Sequence, residues 1–186
     1  MRDDMFAWHK RSWWNRITHD NMREVIFGME DSLITSLGTV TGMAAGGQDR
    51  FVILLSGVVV TIVSIASMSA GSYLSAKSAI GIQKPFQSES RLVFASLRSA
   101  LTMAVSYAAG GFLPLLPYLF LPIATALYIT PCFIALILFC VGIGSAYYTK
   151  RSYWKSGLEM MGVSLGAAVI GYLIGQEFTL FFNQEL

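Results

Sequence analysis

The residue with the clearest chemical potential is an aspartate within an apolar stretch. Asp31 lies in a run that extends from about residue 25 to residue 47. An ionised side chain at the centre of a bilayer costs about 2.5–3.5 kcal/mol on insertion scales, so it must face a cavity or a partner. Asp31 is therefore a candidate ligand for a cation. The structural alternative is a salt bridge with Arg23 or Arg98.

Helical periodicity places Asp31 on a face that is rich in small residues. The stripe consists of Asp31, Thr35, Gly38, Gly42 and Gly46. Its glycines repeat the small-xxx-small pattern that lets another helix approach closely, so they are predicted to form a helix-packing or dimer interface. Thr35 is a secondary metal candidate on the same face. Glu30, also a secondary candidate, points about 100° away around the helix.

The next apolar run carries a second polar stripe. It consists of Thr61, Ser64, Met68, Ser72 and Ser75. Hydroxyl oxygens suit hard divalent ions, and a thioether shifts the preference toward transition metals. Alone the stripe is a weak signal, but beside Asp31 it is a plausible pathway for a cation, with Met68, Ser64 and Ser72 as candidate ligands. The structural alternative is interhelical hydrogen bonding, which Ser and Thr commonly provide in membrane bundles.

Motifs of most enzyme classes are missing from the sequence. It contains no phosphate-binding loop, nucleophile elbow, zinc motif or dinucleotide fingerprint. Cys132 and Cys140 share one apolar run and are interpreted as packing residues. We therefore expect neither catalysis nor a permanently bound cofactor, and ATP-driven pumping by this chain alone is disfavoured.

The elements that must position these residues are membrane spans. The chain has 186 residues, of which 54% are hydrophobic and 13% charged, and a mean hydropathy of +0.57. Soluble domains carry about 25% charged residues. Apolar runs near residues 25–47, 51–75, 93–113, 121–148 and 157–175 each approach the roughly 20 residues that a helix needs to cross hydrocarbon. The prediction is an all-α integral membrane protein whose five transmembrane helices form one domain over residues 25–186.

The distribution of basic residues predicts the orientation. Twelve of the 13 Lys and Arg residues fall in the N-terminal segment and in the connectors after the second and fourth spans. Arg50 alone falls on the other side. Because cytosolic loops are enriched in Lys and Arg, the N-terminus is predicted to be cytosolic and the C-terminus to lie on the opposite side.

Residues 1–24 are predicted to be a cytosolic amphipathic segment. They combine basic residues with Trp8, Trp13 and Trp14 and contain no apolar core of a signal peptide. Such a segment suits a helix lying on the bilayer surface. Nucleic-acid binding is the alternative, but basic and Trp residues are expected beside a membrane anyway, so we expect no nucleic-acid partner.

Three segments in order follow a recognisable pattern of small, polar and proline residues. They read GMEDSLITSLGTVTGMAAGG, SIASMSAGSYLSAKS and SYAAGGFLPLLP. They resemble the vacuolar iron transporter family, whose members export ferrous iron and manganese. The resemblance implies a pathway aspartate at Asp31 and a pathway methionine at Met68. It also implies a homodimer with the first span at the interface and the ion path between protomers.

Two departures from the family pattern place the chain in its short, nodulin-like or bacterial branch. Ser72 stands where many members have glutamate, and the second-to-third connector is short, with Glu89 as its only acid. Many members instead insert a Glu-rich metal-binding domain there. The short form favours a bacterial cell membrane, with a vacuolar or other organelle membrane as the alternative.

The resulting hypothesis is a secondary transporter that exports Fe²⁺ or Mn²⁺ from the cytosol by proton antiport. Its expected partners are the lipid bilayer, the transported metal ions and a second copy of the chain. The alternatives are a membrane scaffold without transport activity, in which Asp31 and the glycines only assemble helices, and a passive cation channel.

Overall fold

The structure, a computed structural model, describes the backbone of residues 3–83 and 89–184 and the side chains of residues 22–82 and 89–181. The elements in chain order are α1 (Asp3–Ala45), α2 (Arg50–Gln83), α3 (Glu89–Gly111), a 3₁₀ turn (Leu113–Leu115), α4 (Leu116–Phe120), α5 (Ile123–Thr149) and α6 (Tyr153–Gln184). No strand occurs among these described residues.

Four of the long helical stretches are apolar enough to cross a bilayer. Among the described residues these stretches are Arg50–Ile82, Glu89–Phe120, Ile123–Thr149 and Tyr153–Phe181. They confirm the predicted all-α membrane fold. The carboxylate-bearing helix α1 does not reach the same hydropathy, because its residues include charged and hydroxyl side chains. It belongs to the bundle through its packing, since it contacts α2, α3, α5 and α6.

Helix α1 is the centre of the bundle. Helices α2 and α3 pack together on one side of it, and α5 and α6 pack together on the other. At 43 residues and about 1.5 Å per residue, α1 is roughly twice as long as a hydrocarbon core of about 30 Å is thick. We call the Met22 end of its bundle-forming part proximal and the Ala45 end distal.

The boundary predicted at residue 24 is not a break in the backbone. The helix that begins at Asp3 continues through this position into the first span. The length of α1 requires that part of it lies outside the hydrocarbon. A role of residues 1–24 on the membrane surface stays a prediction.

The distal turn between α1 and α2 is fixed by local chemistry. Gly47 adopts a φ of 73°, a left-handed conformation that glycine enters without steric cost. The Gln48 N–H donates to the Met43 carbonyl at 3.1 Å, which closes α1. Asp49 Oδ1 accepts a hydrogen bond from the Val52 N–H at 2.9 Å and thereby caps α2.

The proline-rich connector between α3 and α5 is helical and partly buried. Its 3₁₀ turn and α4 place Leu115 and Tyr118 against the distal part of α1. The resulting distal cluster consists of Val40, Ala44, Ile53, Leu115, Tyr118 and Ala126. Its members are all at most 8% exposed, so this end of the bundle is tightly closed.

The predicted packing role of Cys132 and Cys140 is not what the structure shows. Both thiols lie exposed on α5 rather than within the bundle. The exposed side of a spanning helix faces outward, so these cysteines contribute little to the packing of the described core.

The glycine stripe of α1 packs against α6 of the same chain. A Cβ atom on Gly42 would come within 3.0 Å of the Gly171 carbonyl oxygen, and one on Gly175 would collide with the Gly42 carbonyl. Thr179 Oγ1 also donates to the Gly46 carbonyl at 3.0 Å. Because α6 occupies this face, the glycines cannot lie against a second copy unless α6 moves away. Their predicted dimer role is therefore not needed to explain the stripe.

We expect Gly42→Leu to destabilise the single chain. The new side chain would push α1 away from α6, and overpacking of this kind costs about 1–3 kcal/mol. Thermal unfolding in detergent should show a lower midpoint for Gly42→Leu. Gly162→Leu is the matched control, because a Cβ atom at this α6 position meets nothing within 4 Å. Equal midpoints for the two variants would contradict the α1–α6 contact.

Candidate functional site

Asp31 belongs to a polar group at the junction of α1, α2 and α3. Tyr107 of α3 interacts with the side chains of Asp31 and Thr35 on α1 and of Ser64 on α2. Its side chain is only 1% exposed. We call these four residues the junction group. It brings together one carboxylate, two aliphatic hydroxyls and one phenol inside an apolar bundle.

Glycines allow α3 to approach α1 closely at this point. A Cβ atom on Gly28 would come within 3.0 Å of the Met103 sulfur, and one on Gly110 would collide with Ser32 Oγ. These two contacts lie on either side of Tyr107 along α3. The short distance between the helix axes lets the Tyr107 phenol reach the carboxylate-bearing face of α1.

The salt bridge considered for Asp31 does not form within the described part of the chain. Arg23 instead pairs with Glu24, with a Nη2–Oε1 distance of 3.3 Å. Arg98 lies exposed on α3. Asp31 therefore has no cationic partner among the described residues.

A cavity of about 410 Å³ lies on the proximal side of the junction group. Its lining residues are Arg23, Glu24, Phe27, Met68, Gly71, Ser72, Ser75 and Met103. We call it the proximal cavity. Met68 lies one helical turn from Ser64 on α2, so the cavity and the junction group follow one another along the same face.

The hydroxyls of the α2 stripe divide into two roles. Ser72 Oγ and Ser99 Oγ share a hydrogen bond of 3.0 Å, which ties α2 to α3 beside the cavity. Thr61 Oγ1 lies 3.0 Å from Ser36 Oγ and 2.7 Å from the Gly57 carbonyl oxygen, to which it donates. Thr61 thus makes the interhelical hydrogen bonds of the structural alternative. Thr61 and Ser72 are buried and Ser64 and Met68 are half-buried, whereas Ser75 at the proximal end of the stripe is exposed.

Glu30 does not join Asp31, although the two are neighbours in sequence. It lines a neighbouring cavity of about 230 Å³ between α1 and α5, together with Ser145, Tyr148 and Thr149, and this cavity shares only Arg23 and Phe27 with the proximal cavity. The rotation of about 100° per helical residue explains the separation. Glu30 is therefore outside the junction group.

Sequence reasoning missed three residues of this region. Tyr107 is within the third quoted segment, but a lone tyrosine in an apolar run gives no signal of its own. Glu24 lies at the end of the predicted N-terminal segment, and a lone methionine such as Met103 gives no signal of its own either. Only the packing of α1 against α2 and α3 brings them to the candidate site.

The available ligand set is sparse. Within the described ranges no three His, Cys, Asp or Glu side chains come together as a metal-binding group. A cation would therefore meet one carboxylate at a time, with hydroxyl and thioether groups beside it. Such a set suits transient passage better than permanent binding, because tight sites use several charged ligands.

Fold and site together define an integral membrane protein with a polar track between its helices. Comparison with known families identifies the group: the chain belongs to the VIT family, which it matches over residues 22–85 and 79–176. This confirms the family resemblance found in the sequence.

Plant relatives that are named as vacuolar iron transporters agree with this assignment. The chain is 32% identical over 95 residues to vacuolar iron transporter 1 of Eucalyptus grandis, which covers 50% of this chain and 36% of the relative. It is 32% identical over 105 residues to a vacuolar iron transporter of Centaurea cyanus, covering 55% and 40%. An uncharacterised protein of Methanocaldococcus jannaschii is 25% identical over 171 residues, covering 84% and 89%. The chain thus spans less than half the length of these plant relatives.

Removal of the Tyr107 hydroxyl should destabilise the bundle. Tyr107→Phe keeps the ring but removes the polar partner of three half-buried side chains, and loss of a partner for a buried polar group typically costs about 1–3 kcal/mol. The measurement is the midpoint of thermal unfolding in detergent. Tyr128→Phe is the control, because Tyr128 is 72% exposed. A midpoint for Tyr107→Phe as high as that of the wild type would show that the phenol hydroxyl does not support the junction.

Proposed function

We propose that this protein is a secondary transporter that exports a divalent transition metal, Fe²⁺ or Mn²⁺, from the cytosol. The observation that carries the proposal is Asp31, a carboxylate at a three-helix junction without a cationic partner among the described residues. Family membership and relatives named as vacuolar iron transporters support it. A purely structural role leaves unexplained why a half-buried carboxylate lies within a membrane span without a cationic partner among the described residues.

The ligands suggest how a metal ion would be accepted. The proximal cavity offers the thioether of Met68, and the junction group offers the Asp31 carboxylate with hydroxyls of Thr35 and Ser64. Carboxylate and hydroxyl oxygens replace water around a hard cation, whereas sulfur favours a softer transition metal. This combination of oxygen and sulfur ligands suits Fe²⁺ and Mn²⁺. Both bind protein ligands more weakly than the later divalent metals of the first transition row, so they leave such a site readily.

The asymmetry of the bundle favours a carrier over an open channel. The proximal cavity leads toward the junction group, whereas the Ser36–Thr61 hydrogen bond and the distal cluster close the path beyond it. Release on the distal side would require these contacts to separate. Alternating exposure of one binding site to the two sides is the general principle of secondary transport.

Export needs an energy source. Moving one charge outward against a membrane potential costs about 2.3 kcal/mol per 100 mV, so a divalent ion needs about twice that amount. The sequence has no nucleotide-binding motif, and proton antiport would supply the energy. Asp31 would bind the metal when ionised and release it when protonated.

A homodimer is part of the proposal but needs a surface other than the glycine stripe. Helices α2 and α6 expose many large apolar side chains on the outside of the bundle. Lipid covers such faces in a monomer, and a second copy would cover part of them in a dimer. The position of the ion path relative to a dimer axis stays a prediction of the family resemblance.

Asp31→Asn should abolish metal flux in a folded protein. The amide keeps the shape of the carboxylate but is a poorer ligand for a divalent cation and cannot carry the proton. The test is Fe²⁺ and Mn²⁺ uptake into proteoliposomes with an imposed pH gradient. Asp49→Asn serves as the control, because asparagine caps a helix as well as aspartate does. Normal flux through Asp31→Asn would remove Asp31 from the pathway, and flux independent of the pH gradient would indicate a channel.

The proposed export direction requires the proximal end to be cytosolic. The twelve-to-one distribution of basic residues favours this orientation. In a variant with Cys132 and Cys140 replaced by serine, single cysteines at Ser90 and Gln48 should react with an impermeant maleimide from opposite sides. The Ser90 position should be labelled from the cytosol. Labelling of both positions from one side would contradict the topology.

A further inference from the structure

We propose that the proximal cavity is the loading site for the metal, with Glu24 as its carboxylate ligand and Arg23 as a counter-ion that the arriving metal displaces. This inference rests on the proposed transport function. Neither Glu24 nor Arg23 belongs to the junction group. The same inference predicts how the protein selects a divalent cation before the ion reaches Asp31.

Glu24 has the properties of a ligand that is held inside the cavity. The residue is 6% exposed, yet it lines a cavity of about 410 Å³. Its only ion pair within the described residues is with Arg23, at 3.3 Å. A buried carboxylate needs a compensating positive charge, because isolation of its charge in an apolar bundle is very unfavourable.

The two partners of this ion pair differ greatly in exposure. The Arg23 side chain is 77% exposed, whereas the Glu24 side chain is 8% exposed. Arg23 can therefore turn toward water and remain solvated, while Glu24 must stay in the cavity. An exchange of Arg23 for a metal ion leaves both the carboxylate and the guanidinium with favourable surroundings. Because Arg23 is the exposed partner of the ion pair, it is the side chain that moves when the metal binds.

The remaining lining residues determine which cations can make this exchange. Met68 and Met103 contribute thioethers from α2 and α3, and Ser75 contributes a hydroxyl. Ser72 is less available because its hydroxyl is bonded to Ser99. One carboxylate with two thioethers favours transition metals over Mg²⁺ and Ca²⁺, which prefer oxygen ligands throughout.

Arg23 adds a second level of selection, based on charge. A monovalent cation would replace one positive charge with another and would lose the hydrogen bond that the guanidinium donates to Glu24. A divalent cation brings twice the charge to the same carboxylate. Abundant monovalent cations therefore cannot displace Arg23 from Glu24, whereas a divalent cation can.

The test compares Mn²⁺ flux into proteoliposomes for variants of this pair, with the metal added at the proximal side. Glu24→Gln should raise the half-saturating Mn²⁺ concentration by about tenfold or more, as losses of metal-site partners do, with flux retained at saturation. Arg23→Gln should lower the half-saturating concentration, because the competitor of the metal is removed. Arg151→Gln and Glu159→Gln are matched controls, since this pair lies 3.9 Å apart with side chains 68% and 64% exposed.

A binding measurement keeps the inference testable if a variant transports poorly. In detergent, Mn²⁺ bound to Asp31→Asn should be visible by electron paramagnetic resonance, and Asp31→Asn combined with Glu24→Gln should bind less. Unchanged half-saturation and binding in the Glu24 and Arg23 variants would overturn the loading site while leaving transport through Asp31 intact. A rise in half-saturation for Arg23→Gln would show that Arg23 only positions Glu24. Absence of flux in the wild type would instead refute the proposed function itself.

Discussion

A carboxylate within a membrane span is unfavourable in contact with lipid, and helix packing around Asp31 limits that contact. Asp31 is half-buried, because α1 lies between two helix pairs, α2–α3 and α5–α6. Its neighbours at the junction are the phenol of Tyr107 and hydroxyls of Thr35 and Ser64, which are polar without neutralising its charge. The central position of α1 thus contributes to the packing of the bundle and also places polar neighbours around Asp31.

Close helix contacts without large side chains make this central position attainable. On one side, Gly42 and Gly175 let the backbones of α1 and α6 touch, and on the other, Gly28 and Gly110 admit residues of α3. In a membrane, association depends on packing and hydrogen bonds rather than on exclusion of water, so small residues at helix crossings contribute strongly. The glycines are therefore as important for the location of Asp31 as its polar neighbours are.

The two ends of the bundle differ in a way that suits directional transport. The proximal end contains a cavity with a buried carboxylate and thioethers, whereas the distal end is sealed by the proline-rich connector and the distal cluster. Arg50 Nη2 donates to the Leu121 carbonyl at 2.9 Å and joins the two distal connections. Any passage to the distal side would involve these elements, so they are the natural place for conformational change.

The sequence alone is enough to predict the helical membrane class and the approximate spans and to single out Asp31 as a candidate cation ligand, because hydropathy and charge are local properties of the chain. It also identified the α2 stripe, since helical periodicity fixes which side chains share a face. Tertiary structure alone decided that the glycine stripe meets α6, that Glu30 and Asp31 lie in different surroundings, and that Glu24 and Tyr107 join the site. Such facts depend on which helix stands opposite each face, and periodicity within one helix carries no information about its neighbour.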